Sequence, residues 1–186
     1  MFFNAFNRNK RSVELDLKDP EHRPFLFKLV EWADVFVENF KAGQLDSWGL
    51  TYDVLRRHNA RLILASSSGY GPTGPWSKLG AFDMATQAVS GAMVANGGGP
   101  SHEPRVSEWA LADEVGGMNL AFGVLSALVA RARTGVGQQL QTSQLGAMIE
   151  LQVNGSGLTR ALVDGGKQND SGDPPFIHNA YVQVRP

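Results

Sequence analysis

What most constrains this chain is a strand, helix, strand rhythm near its start. Asp34-Val-Phe-Val-Glu38 is a short, largely apolar run. Thr51 then offers an N-cap for "YDVLRRHN", and the exit at Asn59 leads to a second apolar run, Leu62-Ile-Leu-Ala65. Short apolar strands separated by helical spacing belong to α/β architecture. The expectation is a Rossmann-like, mainly parallel sheet flanked by helices. In such an open sheet the ligand approaches the carboxyl ends of the strands, where "ENFKAG" turns out of the first one.

The remaining elements follow from local signals. Ser12–Leu17 alternates polar and apolar residues, the period of a half-exposed strand. Asp19 caps and Pro20 opens a helix that runs through Trp32. Residues 66–80, "SSSGYGPTGPWSKLG", hold two prolines and several glycines and read as a long loop. A helix is expected over Phe82–Val94, an exposed loop at "NGGGPSHEP", and a longer helix over Val115–Arg131, ended by Gly135 and Gly137. A strand over Gln138–Ser143 and a helix from near Gln144 come next, and the last twenty or so residues lose periodicity.

With 186 residues, 42% hydrophobic and 19% charged, the chain has the composition of one globular domain. A net charge of −1 supplies no field for nucleic acid or an anionic membrane. The absence of cysteine excludes disulfides, thiol nucleophiles and Cys-containing zinc sites, and fits a cytoplasmic setting. The four histidines, His22, His58, His102 and His178, have no ligand spacing, so no metal site is expected. The N-terminus lacks the pattern of a signal peptide, and no segment reads as apolar enough to span a bilayer.

Two stretches invite a chemical reading. In "RVSEWALADEVGGMNLAFG" the acids Asp113 and Glu114 stand between an apolar run and Gly116-Gly117. Asp113 is either an N-cap for the helix that follows or a nucleophile at a helix mouth, where the dipole favours its anion. In "SGYGPTGP", glycines such as Gly69 and Gly71 let the backbone come close to a ligand; alone, this is also an ordinary surface loop.

The collinear stretches "NRNKRSVELDLKDPE", "ADVFVENFKAGQLDSWGL", "RLILASSSGYGPTGPWSKLGAFD", "ADEVGG" and "RTGVGQQLQTS" resemble the class III CoA-transferases. That family includes formyl-CoA and carnitine CoA-transferases and the 2-methylacyl-CoA racemases. The resemblance implies CoA transfer from an acyl-CoA to a carboxylic acid through an aspartyl anhydride and an aspartyl-CoA thioester, with Asp113 as nucleophile. CoA is then a substrate and no tightly bound cofactor is needed. Lys18, Asn39 and Phe40 match positions lining the CoA pocket, and Gly69 and Gly71 fall in the loop at the thioester. Taken singly, Lys18 reads as a solvated charge and Phe40 as a core residue.

The resemblance further implies an interlocked homodimer. It places residues 1–160 in the large domain, lacking its first βαβ unit, and leaves 161–186 as an irregular tail or the start of a linker to a smaller domain. Two departures matter. Phe82 stands where racemases of the family carry a histidine before the acid matching Asp83, which removes an imidazole proton shuttle and favours transfer. Ser47 stands where some transferases place an arginine. The rival readings are a racemase or epimerase of the same family, and a noncatalytic fragment serving as an interaction module.

Overall fold

Three strands run parallel in the order β1-β2-β3, and helices cover both of their faces. The computed structural model describes residues 2–152. The expected boundary at residue 160 and the tail beyond it lie outside the described residues. In chain order the elements are α1 (Phe2–Phe6), a 3-10 turn (Pro20–His22), α2 (Arg23–Trp32), β1 (Val35–Glu38), α3 (Gln44–Ser47) and α4 (Tyr52–His58). They continue with β2 (Ile63–Ser68), α5 (Asp83–Val89), α6 (Ala92–Asn96), α7 (Leu111–Thr134), β3 (Gln139–Ser143) and α8 (Gln144–Gln152).

The register sets which residues share a face. Phe36, Leu64 and Gln139 lie side by side, as do Val37, Ala65 and Leu140. On the first of these faces Leu64 joins a core with Leu26 and Val30 of α2, Leu55 of α4, and Leu45, Leu50 and Leu62. On the opposite face α7 lies over β2 and β3, with Gly123 so close that a Cβ there would sit 3.2 Å from Leu140 Cδ1. Burial on both faces explains why β2 is apolar at consecutive positions rather than alternating.

Local chemistry sets the boundaries. Asp19 accepts from the Glu21 N–H at 2.9 Å with Pro20 next to it, and Thr51 Oγ1 accepts from Val54 N at 3.3 Å. Asn59 closes α2 by donating to Val30 O at 3.0 Å and Ala33 O at 2.9 Å. Gly135, at φ +77°, ends α7.

Four expectations are corrected. Ser12–Leu17 forms no strand: its alternation is real, but β1, the nearer edge of the sheet, pairs only with β2 among the described residues, and Val13 is exposed. The single helix over Phe82–Val94 is two helices, because Gly91 takes φ +81° and opens α6 in a new direction. The helix expected from Val115 begins four residues earlier, at Leu111. That longer α7 also overturns the expectation about membranes, since its 24 residues, with a mean hydropathy of 1.4 in its most apolar window, suffice in length and composition to cross a bilayer. Here the apolar length covers the sheet on one side and leaves Met118, Phe122, Leu125 and Val129 exposed along the other.

Candidate active site

The amino end of α7 meets the carboxyl ends of β2 and β3. Asp113 is the third residue of α7, and the N-cap position is Ala110, which has no side-chain acceptor. The capping function belongs instead to Asp83, the first residue of α5. Its Oδ1 accepts from Ala112 N at 2.7 Å and from Asp113 N at 3.2 Å. Its Oδ2 accepts from Gln87 Nε2 at 2.6 Å, and Gln87 Oε1 accepts from Ser107 N at 2.8 Å. Gln87 is fully buried, so this chain of bonds fixes Asp83 and with it the start of α7. The reading of Asp113 as the helix cap is therefore set aside.

Asp113 has a different partner. Gln144 Nε2, at the start of α8, donates to Asp113 Oδ1, and Oδ2 has no hydrogen-bond partner among the described residues. Partial burial, first, and the neighbouring Asp83 and then Glu114 raise the Asp113 pKa above its ordinary value, while the Gln144 bond works against the rise. The apolar run before it does not wall the carboxylate off, since Trp109 is 79% exposed and Asp113 itself is exposed.

The glycine loop reaches the same place through the backbone. Gly69 O accepts from Leu145 N at 3.0 Å, beside Gln144. A Cβ at Gly69 would lie 2.4 Å from Ala81 Cβ, so only glycine fits. Gly71, at φ +85°, faces Ser143, and its N–H is already taken by Ser68 Oγ at 3.1 Å.

Asn39 and Phe40 form a second group at the end of β1. Asn39 Nδ2 donates to Ser67 O at 2.8 Å and ties β1 to β2. Phe40 meets Trp48 edge-on at 5.1 Å and lines a cleft with Glu38, Asp46, Ser68, Pro72 and Gln141, a cleft that Asp113 does not line. The structure thus links Asp113 with Gly69 and Gly71 through Ser143–Leu145, and places Asn39 and Phe40 beside the same strand ends. Lys18 is not brought in: it lies in an exposed turn with its N–H on Asp16 Oδ1 at 2.9 Å. Among the described residues no group of three or more His, Asp or Glu could hold a metal ion.

Gln144 and Gln87 escaped the sequence reading. Gln144 is a neutral amide whose partner lies 31 residues away, which no spacing rule marks, whereas the Asp83–Gln87 pair at i,i+4 on α5 is a spacing that could have been found.

Residues 1–182 match the family described as CoA-transferase family III. The chain belongs to that family. It is 43% identical over 143 residues to the acetyl-CoA:oxalate CoA-transferase of Acetobacter aceti, a match covering 77% of this chain and 37% of that protein. It is 38% identical over 153 residues to the formyl-CoA:oxalate CoA-transferase of Escherichia coli, covering 81% of this chain and 36% of that one. A CAIB/BAIF family protein from Brucella suis superposes with a TM-score of 0.81 at 37% identity, over 90% of this chain and 43% of that structure. The chain spans little more than a third of the length of these curated CoA-transferase relatives.

Proposed function

We propose that Asp113 is the nucleophile of a family III CoA transfer from an acyl-CoA to a carboxylic acid. The observation that carries this reading is that Asp113 stands in the first turn of α7 without capping it. Asp83 holds the helix end, and Asp113 Oδ2 has no hydrogen-bond partner among the described residues.

An Asp113 oxygen bonds to the thioester carbon, the C–S bond breaks, and CoA departs as thiolate, leaving a mixed anhydride. The thiolate then bonds to the aspartyl carbonyl carbon and expels the acyl group as a carboxylate. The acceptor carboxylate attacks the resulting aspartyl-CoA thioester, releases thiolate again, and is itself converted to the new thioester when the thiolate attacks its carbonyl and frees Asp113. Atoms and charge balance without a metal or redox partner.

The names of the relatives, which pair acetyl-CoA or formyl-CoA with oxalate, support small carboxylic acids as acceptors. Asn39 and Phe40, beside the cleft at the strand ends, are the proposed CoA-facing residues, with Lys18 assigned a phosphate contact by family position alone. Gly69 and Gly71 serve this reading as close-approach positions rather than as amide donors, since the Gly71 N–H is occupied.

Asp113→Asn keeps shape and polarity but removes the nucleophile, so acyl transfer should fall to background. Turnover near the wild-type rate in the assay of CoA exchange between donor and acceptor contradicts the reading. The racemase alternative predicts deuterium incorporation beside the thioester without an acceptor; Phe82, exposed before Asp83, offers no base for it.

A further inference from the structure

β3 runs directly into α8 with Ser143 as the cap, its Oγ accepting from Gly146 N at 3.0 Å. That junction turns the first residue of α8, Gln144, inward against α7. It is 8% exposed and packs where α7 carries Gly116, at which a Cβ would lie 3.7 Å from Gln144 Cγ. A carboxylate can only accept, so the amide nitrogen must face Asp113 Oδ1. The amide oxygen is then left buried with no partner among the described residues. A methionine or leucine would fill the same space without burying an unpaired polar atom, so packing alone gives no reason for glutamine here.

We propose that Gln144 is a further catalytic residue: its amide holds Asp113 Oδ1, leaves Oδ2 as the attacking atom, and stabilises the charge that collects on Oδ1 during transfer. The proposal rests on Asp113 being the nucleophile. When Oδ2 bonds to the acyl carbon and thiolate leaves, Oδ1 becomes the aspartyl carbonyl oxygen of the anhydride. Thiolate attack on Asp113 Cγ moves the C=O electron pair onto Oδ1, and collapse expels the acyl carboxylate together with Oδ2. Attack of the acceptor carboxylate on the aspartyl thioester does the same, with thiolate as leaving group. Oδ1 therefore bears negative charge twice in each cycle, and a donor already in place requires no reorganisation at either step. The charged groups facing Asp113 are Asp83 from α5 and Glu114 on α7, both acidic, which leaves Gln144 of α8 as the group favouring its anion.

The test uses Gln144→Met and Gln144→Leu in the full chain. The Asp113 carboxyl is followed by carbon NMR with labelled aspartate, and the reaction with acyl-CoA by rapid quench and mass spectrometry. The Asp113 titration should move to higher pH in both variants, and return of CoA onto the Asp113 anhydride should slow by about 100- to 1000-fold, the usual effect of losing one such donor. Two variants of different shape guard against a packing defect in either one. An unmoved titration, or CoA return at the wild-type rate, overturns the proposal. Absence of any Asp113 adduct in the wild type instead overturns the nucleophile reading, and the role of Gln144 with it.

Discussion

At the scale of single residues, the capping role considered for Asp113 is taken by Asp83. Ala112 is fully buried and its N–H depends on Asp83 Oδ1. Asp83→Ala should therefore cost about 1–3 kcal/mol, the usual penalty for orphaning a buried group, with cap loss of about 0.5–2 kcal/mol as part of the same effect. Asp113→Ala should cost less and through a different bond: Asp113 caps nothing, so the loss comes from the buried Gln144 amide it leaves unpaired, and Gln144→Leu in the same background should relieve it. Urea denaturation of both variants checks the pair, and a loss in Asp113→Ala that persists in the Gln144→Leu background and equals that of Asp83→Ala would return the cap to Asp113.

The raised Asp113 pKa adds a signed prediction. Between the ordinary and the raised value the folded chain holds a proton that the unfolded chain has released, so stability rises as pH falls through that window. Asp113→Asn should remove this contribution, as the difference between the two stability curves against pH will reveal. The same titration sets the acidic limit of the chemistry: adduct formation should fall as pH drops through the raised value, because the protonated acid is not a nucleophile.

At the scale of elements, α7 is positioned at both ends. Its amino end is held by Asp83, and its carboxyl end by Arg131, which is 8% exposed. Arg131 Nη1 donates to Arg61 O at 2.9 Å and Asp34 O at 3.2 Å, and Nη2 to Asp34 Oδ1 at 2.7 Å. The guanidinium thus joins α7 to the segments leading into β1 and β2. Arg131→Met should destabilise by about 1–3 kcal/mol through the carbonyls it abandons. Asp34→Asn should cost under about 1 kcal/mol, since the Asp34 side chain is 78% exposed and such pairs are weak. Thermal melts of the two variants give the ranking, and a larger loss for Asp34→Asn would contradict it.

The apolar runs of β1 and β2, the Thr51 and Asp19 caps and the glycine exit of α7 were legible because each is a short-range signal. The break at Gly91 was not, since a lone glycine within apolar periodicity reads equally as a continuing helix. The true start of α7 was hidden for a related reason: its capping acceptor comes from residue 83, 29 positions away from the amide it serves.

At the scale of the whole molecule, the parallel sheet with helices on both faces was readable from the rhythm of the chain, whereas the choice of Asp113 as nucleophile came from family resemblance and not from that rhythm. The strand expected at Ser12–Leu17 shows the limit of periodicity, because alternation specifies a face but not a neighbour to pair with. The exposed row Met118, Phe122, Leu125 and Val129 belongs to this scale as well. We propose a homodimer, as the family resemblance implies, and this row supports it as an apolar surface favouring association. Light scattering coupled to size exclusion should give twice the 20.1 kDa chain mass, whereas a monomer at micromolar concentration contradicts the proposal.

As proposed above, Asp113 Oδ2, which has no hydrogen-bond partner among the described residues, forms a covalent bond to the acyl group. Incubation of the wild type with acyl-CoA, trapping with hydroxylamine or borohydride, and peptide mass spectrometry test it most directly. Asp113 should be modified in the wild type and unmodified in Asp113→Asn. A modification on Glu114 or Asp83 instead, or trapping that persists in Asp113→Asn, would contradict it.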